Sequence, residues 1–216
     1  MLEPLLRAEY RSIVYRLAGR RAVAQVARQL GLDGDDLSDF VNAVGDEATA
    51  RILCSDPFKA KSITNMPPFG WPTRFSDGSY PVFYAAEERK TAEVEVAYHR
   101  RVAALNDPSN RLPMHMWVFY CAVEARAIDL RERQIEWPWM VSDETCNADC
   151  LLLGREAVGA GDVDCFQAPS ARHEGGTTVP VFHSRVLSDP VIEGTTVFTF
   201  DEATAKISLR HHEQGR

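Results

Sequence analysis

The sequence predicts an α+β fold in which helices come first and strands dominate after about residue 50. Three observations carry this. Apolar residues recur near helical spacing through the first forty-odd residues, and no strand signal precedes about Ala50. Beyond it, short runs rich in β-branched and aromatic residues are interrupted by helical stretches in mixed order. The composition, 45% hydrophobic and 25% charged over 216 residues, suits one domain with a full core, or one domain plus an appendage.

Taken in order, "LLRAEYRSIVYRLAGRRAVAQVARQLGL" has good helix formers at helical spacing. "LDGDDLSDFVNAVG" breaks it at Asp-Gly and starts a second short helix, with Gly45 as its stop. Together they predict a helical N-terminal extension, residues 1–48, ahead of a domain over 49–216. "ARILC" reads as that domain's first strand. "DPFKAKSITNMPPFGWPTRFSDGS" is a long loop, and loops of that length in compact domains are usually functional or poorly ordered. "YPVFYA" is a strand and "EERKTAEVEVAYHRRVAALN" a helix. "MHMWVFYCAVEA" is a buried strand, and "TCNADCLLLGREAVGAG" is a helix ended by glycine. "DVDCFQA", "VPVFHS", "TTVFTF" and "AKISLR" complete the strands.

Charge and cysteine usage narrow the function. The net charge is -7, from 31 acidic and 24 basic residues, which argues against general nucleic-acid binding but leaves room for a local basic pocket. No apolar run is long enough to span a bilayer. The N-terminal stretch lacks an apolar core and a small-residue cleavage site, so a cytoplasmic location with five reduced cysteines is expected. Cys146 and Cys150 have a spacing seen in zinc sites, but no second pair follows, so they read as small buried hydrophobes and no metal is expected. A faint helix-turn-helix pattern in "VAQVARQLGLDGDDLSDFV" would turn Asp35, Asp36 and Asp39 towards phosphates, which is repulsive. There is neither a phosphate-binding Walker loop nor a Gly-x-Gly-x-x-Gly turn.

The helix from Glu88 to Leu105 is more informative. On a wheel of 3.6 residues per turn, Thr91, Val94, Tyr98, Val102 and Leu105 make one stripe, and Ala92, Val96 and Ala103 a second beside it. Arg89, Lys90, Glu93, Arg100 and Arg101 take the opposite, solvated side. Glu95 and His99 fall between the stripes and should face inward. Taken alone, Glu95 reads as a carboxylate paired with a buried arginine or capping a backbone group, and His99 as a satisfied core histidine. Arg74 alone is a solvated loop residue, and Tyr84 a core residue. "APSARHEGGTT" is a turn between apolar strands with Ser170, Arg172 and His173 crowded beside Gly175 and Gly176, and loops on rigid scaffolds are where sites gather. Ser170 and His173 do not form a hydrolase pair, because no nucleophile elbow is present.

In order and spacing these pieces resemble the RES domain. Arg74 stands in "RFSDGSYPVFYAAE" with Tyr84 ten residues on, Glu95 follows in "EVAYH", and Ser170 lies in "PSARHEGGTTVPVF". The family usually reads Arg-Trp-Asn at the first position, where this chain has Arg-Phe-Ser. Its early strand usually carries another arginine, for which Arg51 in "ARILC" is the candidate. The resemblance covers roughly residues 50 to 200. It implies a fold like that of ADP-ribosyltransferases, a split mixed sheet with flanking helices and a nucleotide cleft. It also implies a toxin that degrades NAD+ by breaking the nicotinamide–ribose bond, with water or phosphate as acceptor and no cofactor beyond NAD+ as substrate. The implied partner is a cognate antitoxin covering the cleft; no direct nucleic acid or membrane partner is implied, and a homo-oligomer is possible.

The chemistry suits those residue types. Cleaving an N-glycosidic bond builds positive charge on the ribose, and a fixed carboxylate stabilises that transition state. Such a contact contributes on the order of 3 kcal/mol in an enclosed site. Glu95 would supply it. Arg74 and Arg51 would bind the pyrophosphate or ribose hydroxyls, Tyr84 would wall the nicotinamide ring, and Ser170 would hydrogen-bond nicotinamide or ribose. Two other readings stay open: an ADP-ribosyltransferase that modifies a protein, and a non-catalytic interaction module.

Overall fold

The computed structural model describes residues 5–19, 23–24, 27–28, 30–61, 66–142 and 147–213. Its main elements are β1 (Arg7–Gly19), α1 (Gly34–Ala43), α2 (Asp46–Ser55), β2 (Phe83–Ala86), α3 (Arg89–Asn106), β3 (Met114–Asp129), α4 (Ala148–Ala160), β4 (Cys165–Pro169), β5 (Thr177–Val181), β6 (Leu187–Asp201) and β7 (Lys206–Glu213). The mixture of helix and strand is the α+β class expected.

The seven strands form one mixed sheet in the order β1-β2-β5-β4-β3-β6-β7. Among the described residues only β3 and β4 run parallel; the other pairs are antiparallel. Strand β3 is the hub. One edge carries β1 from Arg7↔Ile128 to Gly19↔Met116. The other edge carries β6 along residues 114–123 and β4 along 127–129. Because β1 also touches β2 at Tyr15↔Ala86, the pairing closes on itself, with β6 and β7 hanging from β3.

Two expectations are corrected here. Residues 7–19 are a strand of the main sheet, not part of a helical extension. The buried residues Tyr10, Val14 and Leu17 are spaced four and three apart, which imitates a helical face. Their burial comes instead from opposite faces of one strand. Tyr10 and Val14 enter the largest core cluster with Phe83, Phe119 and Val179. Leu17 enters a smaller one with Ala92, Val118 and Phe198. Tyr, Ile and Val side chains pack well on a pleated surface covered on both sides. The second correction is "ARILC", which forms the end of α2. Thr49, Ala50 and Leu53 are buried together on one helical face, and Asp46 and Glu47 sit in the first turn, where acidic groups suit the helix dipole.

A third cluster joins α4, through Cys150, Leu153 and Ala157, to Phe75, Ile128, Phe166 and Phe182. It buries the tip of the long loop beneath α4. At Gly154 a Cβ would lie 1.9 Å from the Phe75 carbonyl oxygen, so only glycine permits this approach. Gly161 ends α4 in the left-handed conformation at φ 71°. Among the described residues, no helix is long and apolar enough to cross a membrane.

Candidate active site

A cleft of about 380 Å³ opens between α3, β2 and the loop before β2. Its walls include Arg16, Trp71, Arg74, Tyr84, Glu95 and Arg172. A smaller compartment of about 170 Å³ adjoins it, sharing Arg16, Trp71, Thr73 and Tyr84 and adding Asp56, Lys61 and Ser76.

The loop that presents Arg74 is pinned from both sides. Thr73 and Ser76 form a bridge, and Phe75 is buried with its ring edge-on to Phe166. The Tyr84 hydroxyl accepts from the Phe75 N–H at 2.8 Å and shares a hydrogen bond with Thr73 Oγ1 at 2.8 Å. The Tyr80 hydroxyl donates to the Phe75 carbonyl at 2.6 Å. With both neighbours fixed, Arg74 projects across the cleft and donates from Nη1 to the Pro169 carbonyl at 3.1 Å. Burial pushes the Tyr84 phenol up to about 12, with the Thr73 and Phe75 hydrogen bonds opposing the rise. That hydroxyl ties down the loop, while the ring forms cleft wall.

The turn after β4 presents Ser170. Its backbone N–H donates to the Gly176 carbonyl at 2.8 Å, and Gly176 presses against α3, where a Cβ would stand 2.6 Å from Thr91 Oγ1. The Ser170 hydroxyl donates to Glu95 Oε1 at 2.6 Å and accepts from the backbone N–H groups of Arg172 (3.2 Å) and His173 (3.0 Å). One donor and two acceptor sites are thus all occupied. The His173 imidazole turns away from Ser170 and pairs with Thr91 Oγ1 at 2.8 Å. Arg172 stacks its guanidinium over the Tyr98 ring at 3.7 Å.

The structure therefore brings Arg74, Tyr84 and Glu95 to one cleft and bonds Ser170 to Glu95. It does not bring Arg51 there. Arg51 lies exposed on α2, paired with Glu47 at 2.7 Å, one helical turn away. Its expected place depended on a strand that is a helix. The arginine that reaches the cleft from an early strand is Arg16 of β1. Arg16 Nη1 donates to the Tyr84 carbonyl, and its guanidinium lies 4.8 Å from the Phe83 ring centroid. Its Nε is inaccessible to solvent and has no hydrogen-bond partner among the described residues. Burial lowers its pKa, with Asp56 opposing. Read as a strand, residues 10–16 put Arg16 on the face of Tyr10, Ser12 and Val14, and that alternation was the available signal.

Two residues of α3 sit differently from expectation. His99 is no core residue: it is exposed and lines the cleft. Glu93, expected on the solvated side, is 4% exposed. It accepts from Arg89 Nε at 2.8 Å and lies 3.4 Å from His211 Nδ1 of β7. Helix α3 crosses the sheet so that this side meets β6 and β7. Of the cysteines, Cys54, Cys121, Cys150 and Cys165 are free thiols, and Cys146 lies outside the described residues. Among the described residues, no group of three His, Cys, Asp or Glu is arranged to hold a metal ion.

The cleft of an acidic protein thus carries three guanidinium groups, from Arg16, Arg74 and Arg172, around one carboxylate among its described lining residues. Guanidinium forks bind phosphate and sugar oxygens, and a carboxylate set among them favours a centre that becomes positive. Fold and cleft define the class: an α+β protein with an arginine-lined cleft around a hydroxyl-anchored carboxylate. The family model described as RES domain matches residues 49–201, and the chain belongs to the RES domain family. No curated protein matches the chain.

Proposed function

We propose that the protein degrades NAD+ by cleaving the bond between nicotinamide and ribose, acting as a toxin held in check by a cognate antitoxin. The RES domain is associated with NAD+-degrading toxins of toxin–antitoxin systems. The observation that carries the reading is Glu95, anchored by Ser170 in a cleft that Arg16, Arg74 and Arg172 also line.

NAD+ presents the two kinds of charge that such a cleft complements. Its pyrophosphate is anionic and suits the arginines. Its reacting ribose becomes an oxocarbenium ion as the C–N bond breaks, and the Glu95 carboxylate stabilises that charge. The Ser170 hydroxyl, with its hydrogen-bonding sites occupied, acts by fixing the carboxylate, a role different from the direct ligand contact first expected. The two compartments meet at Arg16, so a substrate with two bases joined by a pyrophosphate would place its charged centre there. Trp71, 68% exposed on the rim of both, offers a stacking face for one base. The closed mixed sheet with its cleft beside α3 supports an ADP-ribosyltransferase-like reading of the fold. An antitoxin would cover the cleft mouth.

The test is nicotinamide release from NAD+ by the purified chain, with products separated in the presence and absence of inorganic phosphate. Free ADP-ribose identifies water as acceptor, and a phosphorylated ADP-ribose identifies phosphate. Label transferred to protein in a lysate would replace this reading with protein modification. No release at high enzyme concentration would leave an interaction module.

A further inference from the structure

We propose that His99 is the general base of the reaction, taking the proton of the attacking water as the nicotinamide–ribose bond breaks; this rests on the NAD+-cleaving reading above. His99 follows Glu95 by four residues on α3, so the two side chains leave the same helical face with Cβ atoms about 5–6 Å apart. Both line the cleft. A water held beside the imidazole would therefore lie on the same side of the cleft as the Glu95 carboxylate.

Three features separate His99 from a structural histidine. The residue is exposed and lines the cleft, where a packing role would place it in the core. Its ring contact is edge-on to Tyr98, at 5.5 Å between centroids, which leaves both nitrogens free of any hydrogen bond to another described residue. By contrast, His173, His183 and His211 each commit Nδ1 to a neighbour: Thr91, Asp164 and Thr196 respectively. The third feature is charge. Loss of hydration on the cleft side lowers the His99 pKa from its ordinary value, Glu95 on its own helix opposes this, and Arg172 from the turn after β4 and Arg74 from the loop before β2 add to the lowering. The imidazole is therefore neutral at pH 7 and able to accept a proton.

With water as acceptor the chemistry gives such a group a task. Glu95 must stay charged to face the oxocarbenium ion, and its Oε1 already accepts the Ser170 hydrogen. In the balanced step the C–N electron pair leaves with nicotinamide, which becomes neutral, while the water oxygen bonds to the ribose carbon. The released water proton goes to a His99 ring nitrogen and then to solvent at the open side of the cleft.

The experiment follows nicotinamide release by the full chain from acid to neutral pH, for wild type, His99→Ala and His99→Gln. Wild type should lose activity on the acid side, as His99 protonates. Both variants should fall about 100-fold in kcat with little change in KM or melting temperature, and should lose the acid limb. Added imidazole should restore His99→Ala and leave His99→Gln unchanged. A His99→Ala enzyme with the wild-type rate overturns the proposal. So does one that is slow yet keeps the acid limb and gains nothing from imidazole, which is the behaviour of a structural residue. Absence of release by wild type would refute the NAD+ reading itself, and this proposal with it.

Discussion

Helix α3 carries two carboxylates two residues apart, and they live in opposite worlds. Glu93 is sealed against β6 and β7, with Arg89 and His211 beside it and Glu193 joined to Arg89 at 3.4 Å. Glu95 faces the cleft, and its one hydrogen bond within the described structure comes from the Ser170 hydroxyl. The more buried carboxylate has a cationic partner, Arg89, that neutralises it, and with His211 it binds the helix to the sheet. The more open one has a neutral partner that orients it and leaves its charge for a ligand. Burial alone would single out Glu93; the identity of the partner singles out Glu95 as the carboxylate whose charge is left for a ligand.

The largest expected effect comes from Glu95→Gln, which keeps shape and removes charge. NAD+ turnover should fall about 1,000-fold, measured by nicotinamide release, while the melting temperature stays within a degree or two of wild type, on the order of the assay error. Glu93→Ala should do the converse. It removes the shorter of the two carboxylate contacts of Arg89, Glu193 remaining at 3.4 Å, and loss of such a charge-assisted hydrogen bond costs about 2 kcal/mol, readable by urea unfolding, while the folded fraction keeps its turnover. Ser170→Ala comes next: it frees the Glu95 carboxylate and strands two backbone N–H groups, so kcat should fall roughly 10- to 100-fold with KM little changed. Arg16→Lys retains charge but loses the planar fork, and calorimetry should show NAD+ binding about 10-fold weaker. Arg51→Ala should be almost silent, because an exposed pair with Glu47 contributes no more than about 0.5 kcal/mol and touches no cleft residue. A clear loss of NAD+ affinity in Arg51→Ala, with none in Arg16→Lys, would reverse the assignment of the early-strand arginine.

The same contrast explains what could be read from the sequence. Arg74, Tyr84, Glu95 and Ser170 were legible because each sits in a locally well-marked element: a Pro- and Gly-rich loop, a short apolar strand, an amphipathic helix and a turn with paired glycines. Their convergence needed the order of the motifs as well. Strand β1 was not legible. Its partner β3 lies about a hundred residues away, and its two covered faces generate the spacing of a helix through Tyr10, Val14 and Leu17. Arg16 was lost with it, and Arg51 was put forward because α2 reads as a strand over "ARILC". Glu93 and His99 exchanged roles for a related reason. The wheel gives the faces of α3 correctly, but which face meets β6 and β7 is decided by tertiary packing.

The central claim is that Glu95, and not its more buried neighbour, is the group that acts on NAD+. The most direct measurement is nicotinamide release from NAD+ by wild type, Glu95→Gln and Glu93→Gln, compared at equal concentrations of folded protein. The account predicts near wild-type turnover from Glu93→Gln and a loss of about 1,000-fold from Glu95→Gln. Undiminished turnover by folded Glu95→Gln would contradict it.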